Sequence, residues 1–426
     1  MITSYKKILC FFLVCIFFQS LFSQNKIDTF YLLKPTRVFD GDNMHEGWQV
    51  LIKNNLIYKV GSVVNADANT TIIEMPGCTL LPGLIEGHSH LFLHPYNETP
   101  WNDQVLKESR VERIARATIH ARNTLLAGFT TVRDLGTEGA GYDDVGLKLS
   151  IEKGIIPGPR MLVATRAIVA TGSYGPKELS YDIDAPKGAA EADGAEALTK
   201  EVRTQIGKGA DIIKVYADYR WGIYHEAAAT FTVDELKKVV EVASSAGRIV
   251  AAHAATQEGM RRCIAAGITT IEHGDDGTTE IFKLMKEKNI ALCPTLAAGD
   301  AIAHYRGWKK GTEEPASIKA KRKSFSDALQ SGVTICMGGD VGVFTHGDNA
   351  REMEMMVAYG MPALNVLRSA TSVNADVFKI NKIVGRISAG LLADIIVVQG
   401  DPSKNITDIR NVKFIMKDGI IYKNIF

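Results

Sequence analysis

The sequence predicts an α/β fold: a (β/α)₈ barrel of the TIM type with a small β-sandwich domain built from both chain ends. Three observations carry this. Between about residues 81 and 384, eight apolar segments of strand length each precede a segment long enough for a helix, and the count of eight favours a closed barrel over an open sheet. Both ends are instead rich in short strands and hairpin turns. Finally, no Gly-rich phosphate loop follows the first strand, as an open doubly wound sheet would want.

Lys6 and Lys7 precede an unbroken apolar run over 8–18, and Ser23 offers a small residue shortly after it. That run is shorter than the roughly 18 residues of a spanning helix, so residues 1–23 are predicted to be a cleaved secretory signal peptide. The mature protein is then expected to be periplasmic or secreted, without a lasting membrane span. Residues 24–80 and 385–426 are assigned to the composite β-domain. In the first part Val50-Leu51-Ile52 and Leu56-Ile57-Tyr58 flank a Lys53-Asn54-Asn55 turn. In the second, 394–398 makes one strand, and Phe414-Ile415-Met416 and Ile420-Ile421-Tyr422 flank an Asp418-Gly419 turn. Residues 81–384 are assigned to the barrel, with strands at 79–85, 130–135, 161–168, 211–216, 248–253, 268–273, 291–296 and 333–338. The clearest helix is 234–246, with Leu236, Val239, Val240 and Ala243 on one stripe and Thr232 and Glu235 at capping-box spacing.

Lys and Arg (49) balance Asp and Glu (48), leaving a net charge of +1. No long-range field would draw in nucleic acid or an anionic membrane. Cys78, Cys263, Cys293 and Cys336 sit singly among apolar neighbours and read as buried small hydrophobes. Cys10 and Cys15 leave with the signal.

Active sites of such barrels form at the C-terminal ends of the strands, and residue types that bind metals fall there repeatedly. His88 and His90 end the first strand. Being two apart in an extended segment, they face the same side. Lys214 lies near the end of the fourth strand, His253 ends the fifth, His273 ends the sixth, and Asp340 follows the eighth. His45, His120, His225 and His304 fall on loops or helices and read as solvated or packing residues. His94 sits in the loop just past the first strand. Arg133 and Asp134 at the end of the second strand read as a structural ion pair.

The segments Pro82-Gly83-Leu84-Ile85-Glu86-Gly87-His88-Ser89-His90, Thr130-Thr131-Val132-Arg133-Asp134-Leu135-Gly136, Ile212-Ile213-Lys214-Val215, Ala251-Ala252-His253-Ala254, Ile271-Glu272-His273-Gly274, Gly338-Gly339-Asp340 and Gly390-Leu391-Leu392-Ala393-Asp394-Ile395 together resemble the metal-dependent amidohydrolase superfamily. The resemblance spans essentially the whole mature chain and is nearest the branch of Xaa-Pro dipeptidases and imidazolonepropionase-type enzymes. It implies two divalent ions, foremost Zn²⁺: one held by His88, His90 and Asp340, the other by His253 and His273. Lys214 would bridge them as a CO₂-derived carbamate, since burial beside cations favours the neutral amine that adds CO₂. It further implies hydrolysis of a C–N bond by a bridging hydroxide, with Asp340 as general base and then acid.

Substrate contacts are expected from Tyr216, which shares the parity of Lys214, from Tyr219 and Arg220 in the following loop, and from His346 after the eighth strand. One departure stands out. Where the dipeptidase branch carries a Gly-Gly-His-Gly-type run, Thr171-Gly172-Ser173-Tyr174-Gly175-Pro176 places Tyr174 in the histidine's position. The small-molecule substrate is therefore left as a dipeptide (Xaa-Pro or other), an N-acyl amino acid or a cyclic amide, and the oligomeric state stays open. Two rivals are a mononuclear deaminase on the same fold, which Lys214 opposes, and a non-catalytic exported binding protein, which the full ligand set opposes.

Overall fold

The computed structural model describes residues 28–177, 179–180 and 182–426; the predicted signal segment lies outside the described residues. Strands from both chain ends share one mixed sheet. Its order is Ile420–Asn424, Val412–Lys417, Ile395–Gln399, Thr71–Pro82, Phe30–Phe39, Gln49–Lys53 and Leu56–Gly61, with Met44–Glu46 beside Phe30–Phe39. The sequence predicts two packed sheets here, whereas the strands form a single continuous one. Thr71–Pro82 pairs parallel with Phe30–Phe39 along one edge and antiparallel with Ile395–Gln399 along the other, so the two ends join edge to edge. Leu33, Val50, Ile73, Val397 and Phe414 belong to its own buried cluster. Both predicted hairpins form. Asp418 (φ 51°) and Gly419 (φ 73°) both turn left-handed, as a two-residue hairpin with the right twist requires.

The predicted strand 79–85 is two strands. Residues through Pro82 belong to the mixed sheet, and Leu84–Ser89 starts a parallel one. Gly83 is the pivot: a Cβ there would fall 2.0 Å from Thr130 Oγ1, so only glycine lets the chain pass.

Leu84–Ser89, Phe129–Asp134 and Arg160–Val163 pair in parallel. A second parallel set runs through Ile168–Val169, Ile212–Tyr216, Ile249–Ala254, Thr270–His273 and Ala291–Cys293. The predicted strand 161–168 is thus split, with Thr165 at φ 61° between the pieces. The segment 291–296 ends at Cys293, because Thr295 turns left-handed into the helix Leu296–Tyr305. The expected eighth strand, 333–338, makes only an isolated parallel bridge, Leu292 to Ile335. Its backbone still links the two sets. Cys336 N donates to Leu292 O at 2.8 Å, and Gly87 N donates to Met337 O at 3.0 Å. Its closing Gly338 allows that approach, since a Cβ there would meet Cys293 Sγ at 2.5 Å.

Between the strands lie amphipathic helices. Val233–Ser245 starts on Thr232 with a complete capping box and buries Leu236, Val239, Val242 and Ala243, so Val242 rather than Val240 completes the stripe. Cys78, Cys263, Cys293 and Cys336 are free and buried. No described helix is long and apolar enough to cross a membrane.

Candidate metal centre

The ends of these parallel strands open into a cavity of about 970 Å³. His88, His90, His253, His273 and Asp340 all line it. The parity argument for His88 and His90 holds: His88 Nε2 and His90 Nε2 lie 3.5 and 3.3 Å from the same oxygen, Asp340 Oδ1. Potential ligand atoms of these three residues all fall within 4.8 Å of one another. The His273 ring stands 5.2 Å from that of His88 and 4.4 Å from that of His253, centre to centre. Lys214 is fully buried beneath them. Its Nζ has no hydrogen-bond partner among the described residues and lies 5.4 Å from the centre of the Tyr216 ring.

Two backbone distortions aim these groups. Glu272 and His273 are adjacent, so a regular strand would send them to opposite faces. His273 takes φ 76°, and both side chains reach His88: the ring of His273 as above, and Glu272 Oε2 at 2.9 Å from Nδ1. Asp340, at φ 60°, is likewise turned out of extended geometry toward the histidines.

A layer of partners fixes three of these imidazoles by one ring nitrogen, as ligating histidines require. His88 Nδ1 donates to Glu272, His90 Nδ1 donates to the Gly136 carbonyl at 2.9 Å, and His273 Nδ1 meets Thr295 Oγ1 at 2.8 Å. His253 Nε2 faces Asp218 at 3.6 Å. Glu272 itself is clamped by Arg133 at 2.8 and 2.9 Å. Arg133 therefore does not pair with Asp134 as the sequence suggested. Neighbours on one strand point apart, and Arg133 reaches across the interior instead.

The electrostatics favour the ligand forms of His88, His253, Lys214 and Asp340, and a protonated His90 paired with Asp340. Burial pulls His88 down to about 4 and His253 to about 3, so both rings stay neutral. Burial also lowers Lys214. For Asp340, burial is outweighed by His88 and His90, which hold its carboxyl well below the usual range. His90 shows the counterpart: burial opposes its protonation, but Asp340 raises it to about 9. An orphaned buried amine beside the neutral imidazoles of His88 and His253 and the ionised Asp340 carboxylate fits a divalent cation site, where a cation would displace the proton that Asp340 holds on His90.

The predicted substrate residues divide. Tyr174, Tyr216, Tyr219 and Arg220 line the cavity. His346 does not; it is buried, its Nε2 donates to the Leu93 carbonyl at 3.0 Å and its ring stacks on His120 at 4.2 Å. Sequence reasoning missed Glu272 and Glu138. Glu138 lines the cavity from a loop, at φ 50°, and accepts from Tyr174 Oη at 2.5 Å and Trp101 Nε1 at 3.0 Å. Its only sequence signal is an acidic residue just past a strand end.

Residues 79–425 match the model of the amidohydrolase family. The chain belongs to the amidohydrolase family. Among curated relatives, this amidohydrolase is 30% identical over 420 residues to ochratoxinase of Aspergillus niger, covering 90% of this chain and 84% of the relative. A crystal structure of a Xaa-Pro dipeptidase with bound methionine in the active site is similar at TM-score 0.82 and 31% identity, covering 93% of this chain and 100% of the other. The crystal structure of A. niger ochratoxinase is similar at TM-score 0.80 and 26% identity, covering 93% and 96%. As an amidohydrolase, the chain is a hydrolase acting on C–N bonds.

Proposed function

We propose that this amidohydrolase cleaves the amide bond of a small carboxylate-bearing substrate, a dipeptide or an N-acyl amino acid, using two divalent ions, foremost Zn²⁺. The observation that carries the proposal is the trio His88, His90 and Asp340, whose ligand atoms converge on the floor of a cavity large enough for such a molecule. His253 and His273 would hold the second ion, completed by Lys214 as its CO₂ adduct. Burial favours the neutral amine needed to add CO₂. In the same reading, the two parallel sets joined through 333–341 make one closed eight-stranded barrel, and the chain is exported after loss of residues 1–23.

When bound, the ions would polarise the amide carbonyl and bring the pKa of water from about 15.7 toward about 7. The protein's own groups do the rest. Asp340, ionised and partly open to the cavity, takes the proton of the attacking water and returns it to the departing nitrogen. His88, His90 and His273 keep fixed orientations through Glu272, Gly136 and Thr295. Arg220, exposed at the cavity wall and without an ion-pair partner among the described residues, receives the substrate carboxylate.

Relatives support this substrate class: an ochratoxinase, a Xaa-Pro dipeptidase, and a prolidase complexed with N-methylphosphonate-L-proline at TM-score 0.80 and 27% identity. The test is a screen of dipeptides and N-acyl amino acids with protein supplied with zinc and bicarbonate. Release of free amino acid from either class is expected; a fully metallated sample that cleaves neither overturns the proposal.

A further inference from the structure

The cavity wall beside the metal centre carries a feature that amide hydrolysis itself does not use. Glu138 is 2% exposed, yet it lines the cavity, and no Lys, Arg or His among the described residues forms an ion pair with it. Its Oε2 accepts from Trp101 Nε1 and Tyr174 Oη, whereas Oε1 has a single distant partner, Tyr216 Oη at 3.4 Å. A carboxylate offers about four acceptor positions, so Oε1 retains capacity toward the cavity. The nearby guanidinium of Arg113 does not use it, because it donates to the carbonyls of Phe92 and Thr137.

The surroundings raise what a cation would gain there. Glu138 is buried against aromatic side chains, with the Tyr174 ring centred 5.2 Å from that of Trp101 and 4.7 Å from that of Tyr216. A buried negative charge walled by aromatic rings attracts an ammonium by charge-assisted hydrogen bonding and cation–π contact. Position matters as well. Tyr216 also stacks on His253 at 4.7 Å, which sets this wall directly against the metal centre. In a dipeptide the α-ammonium stands one carbon from the scissile carbonyl, so a carbonyl held at the ions would bring it within reach of this wall.

We propose that Glu138, framed by Trp101, Tyr174 and Tyr216, is the subsite for the free α-ammonium of the substrate, making this enzyme selective for unblocked dipeptides over N-acyl amino acids. The inference rests on the amide-hydrolase reading and narrows it. Tyr174 is then part of a remodelled wall that buttresses the carboxylate.

The test compares a dipeptide with its N-acetyl form and with an N-acyl amino acid of the same leaving residue, using zinc- and bicarbonate-loaded enzyme. Wild type should prefer the free dipeptide in kcat/KM by at least about 30-fold. Glu138→Gln should collapse that ratio, mainly through a higher KM for the free dipeptide. Calorimetry with a phosphinic dipeptide isostere, with and without an N-acetyl group, gives a readout independent of turnover and needs only wild-type protein. Equal binding of the two isosteres, equal turnover of blocked and free dipeptides, or an unchanged ratio in Glu138→Gln would overturn the inference while leaving the hydrolase reading intact. Cleavage of neither class would overturn both.

Discussion

Replacing Glu272 by Gln perturbs the metal centre from behind, without touching any proposed ligand atom. Glu272 and Arg133 are both fully buried, joined by contacts of 2.8 and 2.9 Å, and the same carboxylate holds His88 Nδ1 at 2.9 Å. Two costs follow from that geometry. Breaking a buried ion pair and stranding Arg133 should cost about 3–5 kcal/mol of stability. Losing the carboxylate that orients His88 should weaken metal binding about 10–100-fold. Urea unfolding reads the first and competition with a chelator the second. A double variant, Arg133→Met with Glu272→Met, separates them: two apolar side chains of suitable volume should restore stability, since buried pairs are often replaceable that way, but not metal affinity. If Glu272→Gln unfolds at the wild-type midpoint, or if the double variant binds metal as wild type does, the assigned role of Glu272 is wrong.

Other outcomes follow from the same geometry. Asp340→Asn should lower kcat by about 10²–10⁴-fold, as expected for a lost proton carrier, in steady-state assays on metal-saturated protein. Glu352, buried beneath the start of the helix Leu296–Tyr305, is raised by burial from 4.5 to about 8 despite accepting from Leu296 N and Ala297 N. The native state therefore binds more protons there than the unfolded chain between those pH values, and stability should fall as pH rises through that window. Glu352→Gln should flatten that slope in pH-dependent unfolding; an unchanged slope excludes Glu352 as its source. His346→Phe should change kcat/KM less than about threefold, because the ring lies outside the cavity, while removing the bond to Leu93 O costs about 1 kcal/mol in thermal unfolding.

Much of the centre was legible because it obeys local rules. His88 and His90 share a face through the two-residue period of a strand, and Lys214 and Tyr216 do the same. The Thr232 capping box and the Asp418-Gly419 turn are equally local. What stayed hidden depends on tertiary approach. Glu272 looks as if it should point away from His273, and only the left-handed backbone at His273 brings both to His88. Glu138 meets partners 36, 37 and 78 residues away along the chain, so nothing in its own neighbourhood signals the cluster. Arg133 was assigned to its sequence neighbour Asp134, although its partner Glu272 lies 139 residues on. The eighth segment has a strand's composition, yet its Gly338 lies tight against Cys293 and His88 and the segment makes only one isolated bridge.

The most direct test is metal analysis of purified protein together with its Lys214→Met variant, both prepared with zinc and bicarbonate. Two ions per wild-type chain and a clear drop in the variant are predicted. A wild-type protein that retains no stoichiometric metal, or a variant that holds both ions as firmly, would contradict the shared centre built from His88, His90, Lys214, His253, His273 and Asp340.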